Sequence, residues 1–208
     1  MDCPGCESAV PGEAESCPSC GFTINPQPLA DRPTSPDAAL SVPNRPPPVP
    51  PFFAVPVWKL ALMSFVTFGL YEIFWFYRNW QRVRVREQVQ IRPFLRAFFG
   101  FFYCHACFER IAKFGQARDI TPSPPITLLT VLWIAATISW RLPDPFWLIS
   151  LLSFVFLLPK QAYANRINAQ EAPDHDRNGR LTAWNWVGIV IGGCVFALDL
   201  IAMFALPA

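Results

Sequence analysis

The chain has 208 residues, a net charge of +2, 52% hydrophobic residues and only 15% charged ones, against about 25% charged in an ordinary soluble domain. Most of its 23 prolines lie outside the apolar runs, so those runs are oilier than the average says. A single soluble globular domain is therefore not the expected architecture. Nor is a disulfide scaffold, because the seven cysteines do not pattern as one and no secretory signal precedes them.

In chain order, the first feature is Cys3-Pro4-Gly5-Cys6, then ten residues, then Cys17-Pro18-Ser19-Cys20-Gly21. Two C-x-x-C pairs supply four soft thiolates, the set that closes a tetrahedral Zn²⁺ shell. Each short turn forms a knuckle in which backbone N–H groups point at sulfur. Proline presets one φ, and Gly21 allows a left-handed exit. Within a head of residues 1–25, residues 3–21 resemble the short zinc-ribbon found at the N-termini of many prokaryotic proteins, with a departure at Glu7, where a second glycine is usual. The expectation is one structural zinc on Cys3, Cys6, Cys17 and Cys20, with no open position for catalysis. Metal binding would supply most of the folding free energy of so small a segment. Residues 1–25 hold Asp2, Glu7, Glu13 and Glu15 and no Lys or Arg. Zn(Cys)₄ adds two negative charges, so nucleic-acid binding is disfavoured and a protein contact preferred.

Residues 26–56 contain eleven prolines and are predicted to be a disordered, polyproline-like spacer. Arg45, Pro48 and Pro51 have the spacing of an SH3-type ligand, but such matches are common in proline-rich tracts. The spacer reading is preferred.

Residues 57–208 are predicted to be a helical membrane domain. Segments 57–92 and 94–118 are amphipathic helices, re-entrant or spanning, rich in Phe and Trp. Arg78, Arg82 and Arg86 lie four apart on one helical face, placed for lipid head groups. The alternative, two ordinary spanning helices with a basic loop, stays open. Segments 124–141 and 145–159 form a helical hairpin around Arg141-Leu142-Pro143-Asp144-Pro145. Each arm is shorter than the roughly 20 residues of a comfortable span, extended if Arg141 and Lys160 snorkel. Segment 183–206, with Asp199 as its one charge and Trp184 and Trp186 at one end, is a transmembrane helix.

Basic residues stay on the cytoplasmic side. The loop 159–183 carries Lys160, Arg166, Arg177 and Arg180, which puts it inside, with 141–145 and the C-terminus outside and the ribbon cytosolic. Reduced thiols would then be available for zinc.

The run Thr67-Phe68-Gly69-Leu70-Tyr71-Glu72-Ile73-Phe74-Trp75-Phe76-Tyr77-Arg78-Asn79-Trp80 resembles the signature of a bacterial multi-pass membrane family of unknown function. Leu142-Pro143-Asp144-Pro145 and Asn165-Arg166-Ile167-Asn168 are similar to elements of its longer members. The resemblance covers residues 57–206 and implies a membrane location, with no activity attached.

Asp174-His175-Asp176-Arg177-Asn178-Gly179 matches the first half of a calcium loop, but position twelve is Asn185 rather than a bidentate Glu. A polar turn is preferred. Cys104 and Cys107 sit one helical turn apart beside His105 and are read as small buried apolar residues rather than a thiol or metal half-site. Asp199 is expected to pair with Arg141 and hold the hairpin against the last helix. No nucleophile–base pair, phosphate loop or catalytic carboxylate pair is present, so no enzyme is predicted. The whole reads as an α-helical multi-pass protein of a bacterial inner membrane, with a zinc-ribbon head that docks a protein partner as an interaction or regulatory module. The alternative is a small transport or channel component using Glu72 and Asp199.

Overall fold

The computed structural model describes residues 3, 5, 6, 8–10, 16, 17, 19–23 and 49–205. The bulk of the proline tract, residues 24–48 with Arg45 and Pro48, lies outside the described residues. The remainder is mostly helical: α1 (Val57–Val66), α2 (Leu70–Glu87), α3 (Pro93–Phe98), α4 (Gly100–Gln116), α5 (Ile126–Ile138), α6 (Leu158–Glu171) and α7 (Ala183–Ala205). Two 3₁₀ segments, Ser139–Arg141 and Phe146–Phe156, flank the Pro143–Pro145 turn.

The expected linker ends early. Prolines 50, 51 and 56 flank Phe52–Val55, which is neither helix nor strand, and all four residues are buried. Their backbone groups are met by side-chain amides instead of by a sheet. Asn168 accepts from the Phe52 N–H at 3.0 Å and donates to the Phe52 carbonyl at 3.1 Å. Asn79 accepts from the Phe53 N–H at 3.2 Å. Gln161 donates to the Phe53 and Val55 carbonyls, both at 3.1 Å, and Asn165 to Val55 at 2.9 Å. Gln161 in turn accepts from Trp75 Nε1 at 2.5 Å. Around this clasp packs an aromatic core in which Phe76 meets Trp75 and Trp133 edge-on at 5.0 and 5.1 Å.

The expected helix 57–92 is two helices. Phe68 and Gly69 take positive φ, +52° and +83°, a reversal that glycine makes at little cost. Thr67 Oγ1 donates to the Met63 carbonyl and accepts from the Tyr71 N–H, and the Gly69 N–H bonds Ser64 O at 2.9 Å. The turn thus satisfies its own backbone. Segment 94–118 is likewise divided, at Phe99, where φ −88° and ψ 42° leave the helical region.

The hairpin differs more. Arm 124–141 is α5 plus a 3₁₀ turn, whereas the second arm does not end at 159 but runs on as α6. Most of the expected polar loop 159–183 is therefore helix, with Lys160, Gln161, Tyr163, Ile167 and Asn168 buried. Lys160 does not snorkel. Its ammonium lies 5.9 Å from the Phe108 ring and donates to the Pro124 carbonyl at 2.7 Å, pinning the start of α6 to the start of α5.

Two helical stretches, Phe146–Glu171 and Ala183–Met203, are long and apolar enough to cross a membrane. Among the described residues nothing covers the outer face of α7: Val190 is 61% exposed, Ile191 60% and Leu198 65%. Its inner face packs on α1 through glycine. A Cβ at Gly192 would strike the Val66 carbonyl, and one at Gly188 would touch Met63. Gly192 is the tenth residue of α7, so the α1–α2 turn lies about 14 Å along that helix at 1.5 Å per residue.

Two outcomes test this packing. Asn168→Ala orphans the Phe52 N–H and carbonyl and lowers stability by about 2–4 kcal/mol, read as a lower detergent unfolding midpoint. Gly192→Leu separates α7 from α1, and a cysteine pair placed at positions 63 and 188 then loses its crosslink.

Candidate metal centre and the other site residues

Each cysteine knuckle is tied by backbone bonds. The Cys3 N–H donates to Ser8 O at 3.0 Å, the Cys17 N–H to Phe22 O at 2.8 Å and the Gly21 N–H to Cys17 O at 2.8 Å. Gly21 sits at φ +76°, and the Ser16–Thr23 bridge closes the second loop. No extended ladder accompanies it among the described residues.

These turns bring the four sulfurs of Cys3, Cys6, Cys17 and Cys20 within 4.8 Å of one another. Cys3 to Cys20 and Cys6 to Cys17 are each 3.5 Å apart, and none is disulfide-bonded. A ZnS₄ tetrahedron with bonds of about 2.3 Å has edges of roughly 3.8 Å, so the donor set fits a four-thiolate ion. The Gly5 N–H points at Cys3 Sγ from 3.3 Å. A Cβ on Gly5 would sit 3.1 Å from Cys20 Sγ, so that wall of the shell is bare backbone. Burial opposes ionisation of Cys17, but backbone N–H groups of Cys20 and Ser19 outweigh it and bring the thiol down to about 7. Burial pushes Cys3 and Cys20 up. A divalent ion would displace those protons and offset the charge. Among the described residues this is the one cluster of metal-ligating side chains.

The head rests on the far end of α2. Val85 packs against the cysteine core, and Val49 covers Gly21. A cavity of about 410 Å³ lies between Cys20, Gly21 and the arginines 82, 86 and 118.

Arg78, Arg82 and Arg86 share a face, but it meets protein rather than standing free for lipid head groups. Guanidinium planes stack well on aromatic rings, and two of the three find rings. Arg86 lies 4.5 Å over Phe52 and 4.3 Å over Phe114 and donates to the Pro51 carbonyl at 3.0 Å. Arg78 lies 5.7 Å from the Phe53 ring. Arg82 borders Cys20 in the cavity wall. Burial, with Arg118 and Arg110 nearby, lowers Arg86 to about 10; burial and Arg78 do the same to Arg82.

Asp199 and Arg141 form no ion pair. Both are exposed, Arg141 lies 5.2 Å from the Trp140 ring, and α7 packs on α1 instead of on the hairpin. Cys104 and Cys107 are buried, while His105 between them faces out. Burial pushes Cys104 up to about 11 and Cys107 higher, so neither is a ready thiolate. At residues 174–179 the cation is internal: Lys59 Nζ donates to Asn178 O at 3.0 Å, Asn178 Oδ1 at 3.1 Å and Arg180 O at 2.7 Å.

Glu72, in the first turn of α2, is 3% exposed. Its Oε2 accepts from Trp133 Nε1 at 2.5 Å and its Oε1 from Ser153 Oγ at 2.6 Å, joining α2, α5 and the 3₁₀ arm. The sequence marked Glu72 without its donors, which lie over sixty residues away.

Comparison of the chain with protein-family models, curated proteins and solved structures gives no match.

Zinc loading provides the check. The purified full-length protein should carry about one zinc per chain, and a cobalt-substituted form should show the intense visible bands of tetrahedral CoS₄. Cys17→Ser should lose both, while Cys194→Ser, on the exposed face of α7, should lose neither.

Proposed function

We propose that the chain is a membrane-anchored zinc-ribbon protein acting as an interaction or regulatory module at the cytoplasmic face of a bacterial inner membrane. The observation that carries the reading is the closed sulfur shell. Four protein ligands leave no position for a substrate, so the ion's contribution is to fold a small head. Among the described residues no catalytic constellation accompanies it.

The anchor follows from solvent. An exposed, uncharged apolar stripe along α7 is costly in water and stable in lipid, and Trp184 and Trp186 suit the interfacial level. The α1–α2 turn lies against the middle of α7, about halfway through a hydrocarbon core of roughly 30 Å. Its internal hydrogen bonds are what irregular backbone needs at that depth. We therefore read α1–α2 as a re-entrant hairpin that enters beside Lys59 and returns to the same side at Arg82–Arg86. Lys59 holds the loop before α7, and Lys160 holds the start of α5, which gathers the basic groups on one side, the inside by the positive-inside rule. The ribbon packs at that same end, beside Val85. A partner surface there would combine the acidic head with the basic end of α2. The likeness of 67–80 to a membrane family of unknown function agrees with this location.

A second reading, a small transport component, is favoured by Glu72 alone. Asp199, its expected companion, is exposed, on the helical face of α7 that carries Gly188 and Gly192.

Sidedness and docking are checked together in a variant with Cys104, Cys107 and Cys194 replaced by Ser. After chelation, membrane-impermeant maleimide should label the ribbon in inside-out vesicles and not in spheroplasts. A photo-crosslinker at Thr23 should give a discrete protein adduct in cells that disappears with Cys17→Ser. Labelling from outside would overturn the orientation, and a metal-independent adduct the ribbon's role.

A further inference from the structure

A cavity of about 220 Å³ opens beside Glu72, walled by Phe76, Phe98, Phe101, Trp133 and Trp140. Its remaining polar lining is the hydroxyls of Thr137, Ser150 and Ser153, and it contains no Lys or Arg. The Glu72 carboxyl therefore faces it with two neutral donors and no Lys or Arg in the lining; Arg141 lies behind one wall, 5.2 Å from the Trp140 ring. Two donors occupy about half of the four lone-pair positions of a carboxylate, and a buried charge left without an opposite one is unfavourable by several kcal/mol.

Aromatic faces present negative potential to a cation. A carboxylate set among aromatic faces is thus negative from several directions, yet apolar on contact. A hydrated metal ion fits this poorly, since hard cations need about six oxygen ligands and the walls offer few. An alkylated ammonium fits well, because it carries its charge on an apolar surface and sheds water easily. The volume lies below the roughly 300 Å³ where drug-sized pockets begin, which selects a compact cation. Phe98, Phe101 and Trp140 are 59%, 41% and 60% exposed, so the mouth opens on the apolar flank.

We propose that the Glu72 cavity binds a small quaternary ammonium group, held by the carboxylate among the rings of Trp133 and Trp140. The group arrives as a free cation; a choline lipid's head stays at the interface, away from the mid-depth read above for the α1–α2 turn. This site is independent of the ribbon reading: its success or failure leaves the metal centre untouched.

The test titrates tetramethylammonium and choline chlorides into the zinc-loaded full chain in nanodiscs of phosphatidylglycerol and phosphatidylethanolamine, at constant ionic strength, reading tryptophan fluorescence. We expect a saturable change, at least about tenfold weaker for 3,3-dimethylbutanol, the uncharged shape-mimic of choline. Glu72→Gln should abolish it with an unchanged unfolding midpoint. Trp140→Leu, which alters only an exposed wall, should weaken it severalfold and keeps the test sound if Glu72→Gln misfolds. Binding should be unchanged in phosphatidylcholine discs, and competition there would overturn the free-cation assignment. Equal binding of the neutral mimic, unaltered binding by Glu72→Gln or Trp140→Leu, or no saturable change would overturn it.

Discussion

Phe52–Val55 runs through the middle of the helices in an irregular form that neither helix nor sheet satisfies, and four side-chain amides hold it there. Unpaired backbone groups at that depth would each cost about 1–3 kcal/mol, so Asn79, Gln161, Asn165 and Asn168 are as structural as any hydrophobic residue. They also fix where everything else goes. Asn79 lies on α2 and the other three on α6, so the segment ties together helices that are far apart in sequence. Arg86 then closes over Phe52 and the Pro51 carbonyl. The chain immediately upstream, Val49, emerges against the ribbon. Position of the head is thereby coupled to integrity of the core.

A second polar knot, Glu72 with Trp133 and Ser153, performs the same service one turn from the α1–α2 reversal. Together the two knots concentrate polarity into specific partners and leave the perimeter of α5, α7 and the 3₁₀ arm apolar. Such an arrangement suits a solvent that forms no hydrogen bonds. Lysines follow the same logic: Lys59 and Lys160 are buried, yet each ammonium is met by backbone carbonyls, so each acts as a rivet between segments.

Much of the architecture was legible in local pattern. The two C-x-x-C pairs specify their ligand chemistry by residue type and spacing alone, and the four sulfurs do converge. The uninterrupted run after Trp184 specifies a helix of the length found. Prolines 143 and 145 mark the hairpin turn. Other elements were misread for identifiable reasons. Phe52–Val55 was hidden by the prolines around it, which look like spacer until a partner for the backbone is seen. The helix break at Thr67–Gly69 was masked by strong flanking apolar periodicity, though the glycine was a signal. Gly188 and Gly192, spaced four apart, carried a helix-packing cue that outranked the attraction expected between Asp199 and Arg141.

Sequence by itself determined the four converging cysteines, the apolar helices and the clustering of basic charge, because each depends on residues near one another along the chain. Tertiary structure decided that an apparent linker is core, that Arg78 and Arg86 of α2 meet aromatic rings, and that Glu72 shares a cavity with aromatic walls. Those outcomes depend on which distant groups meet, and pairing among Asn, Gln, Trp and Arg has no periodicity to reveal it.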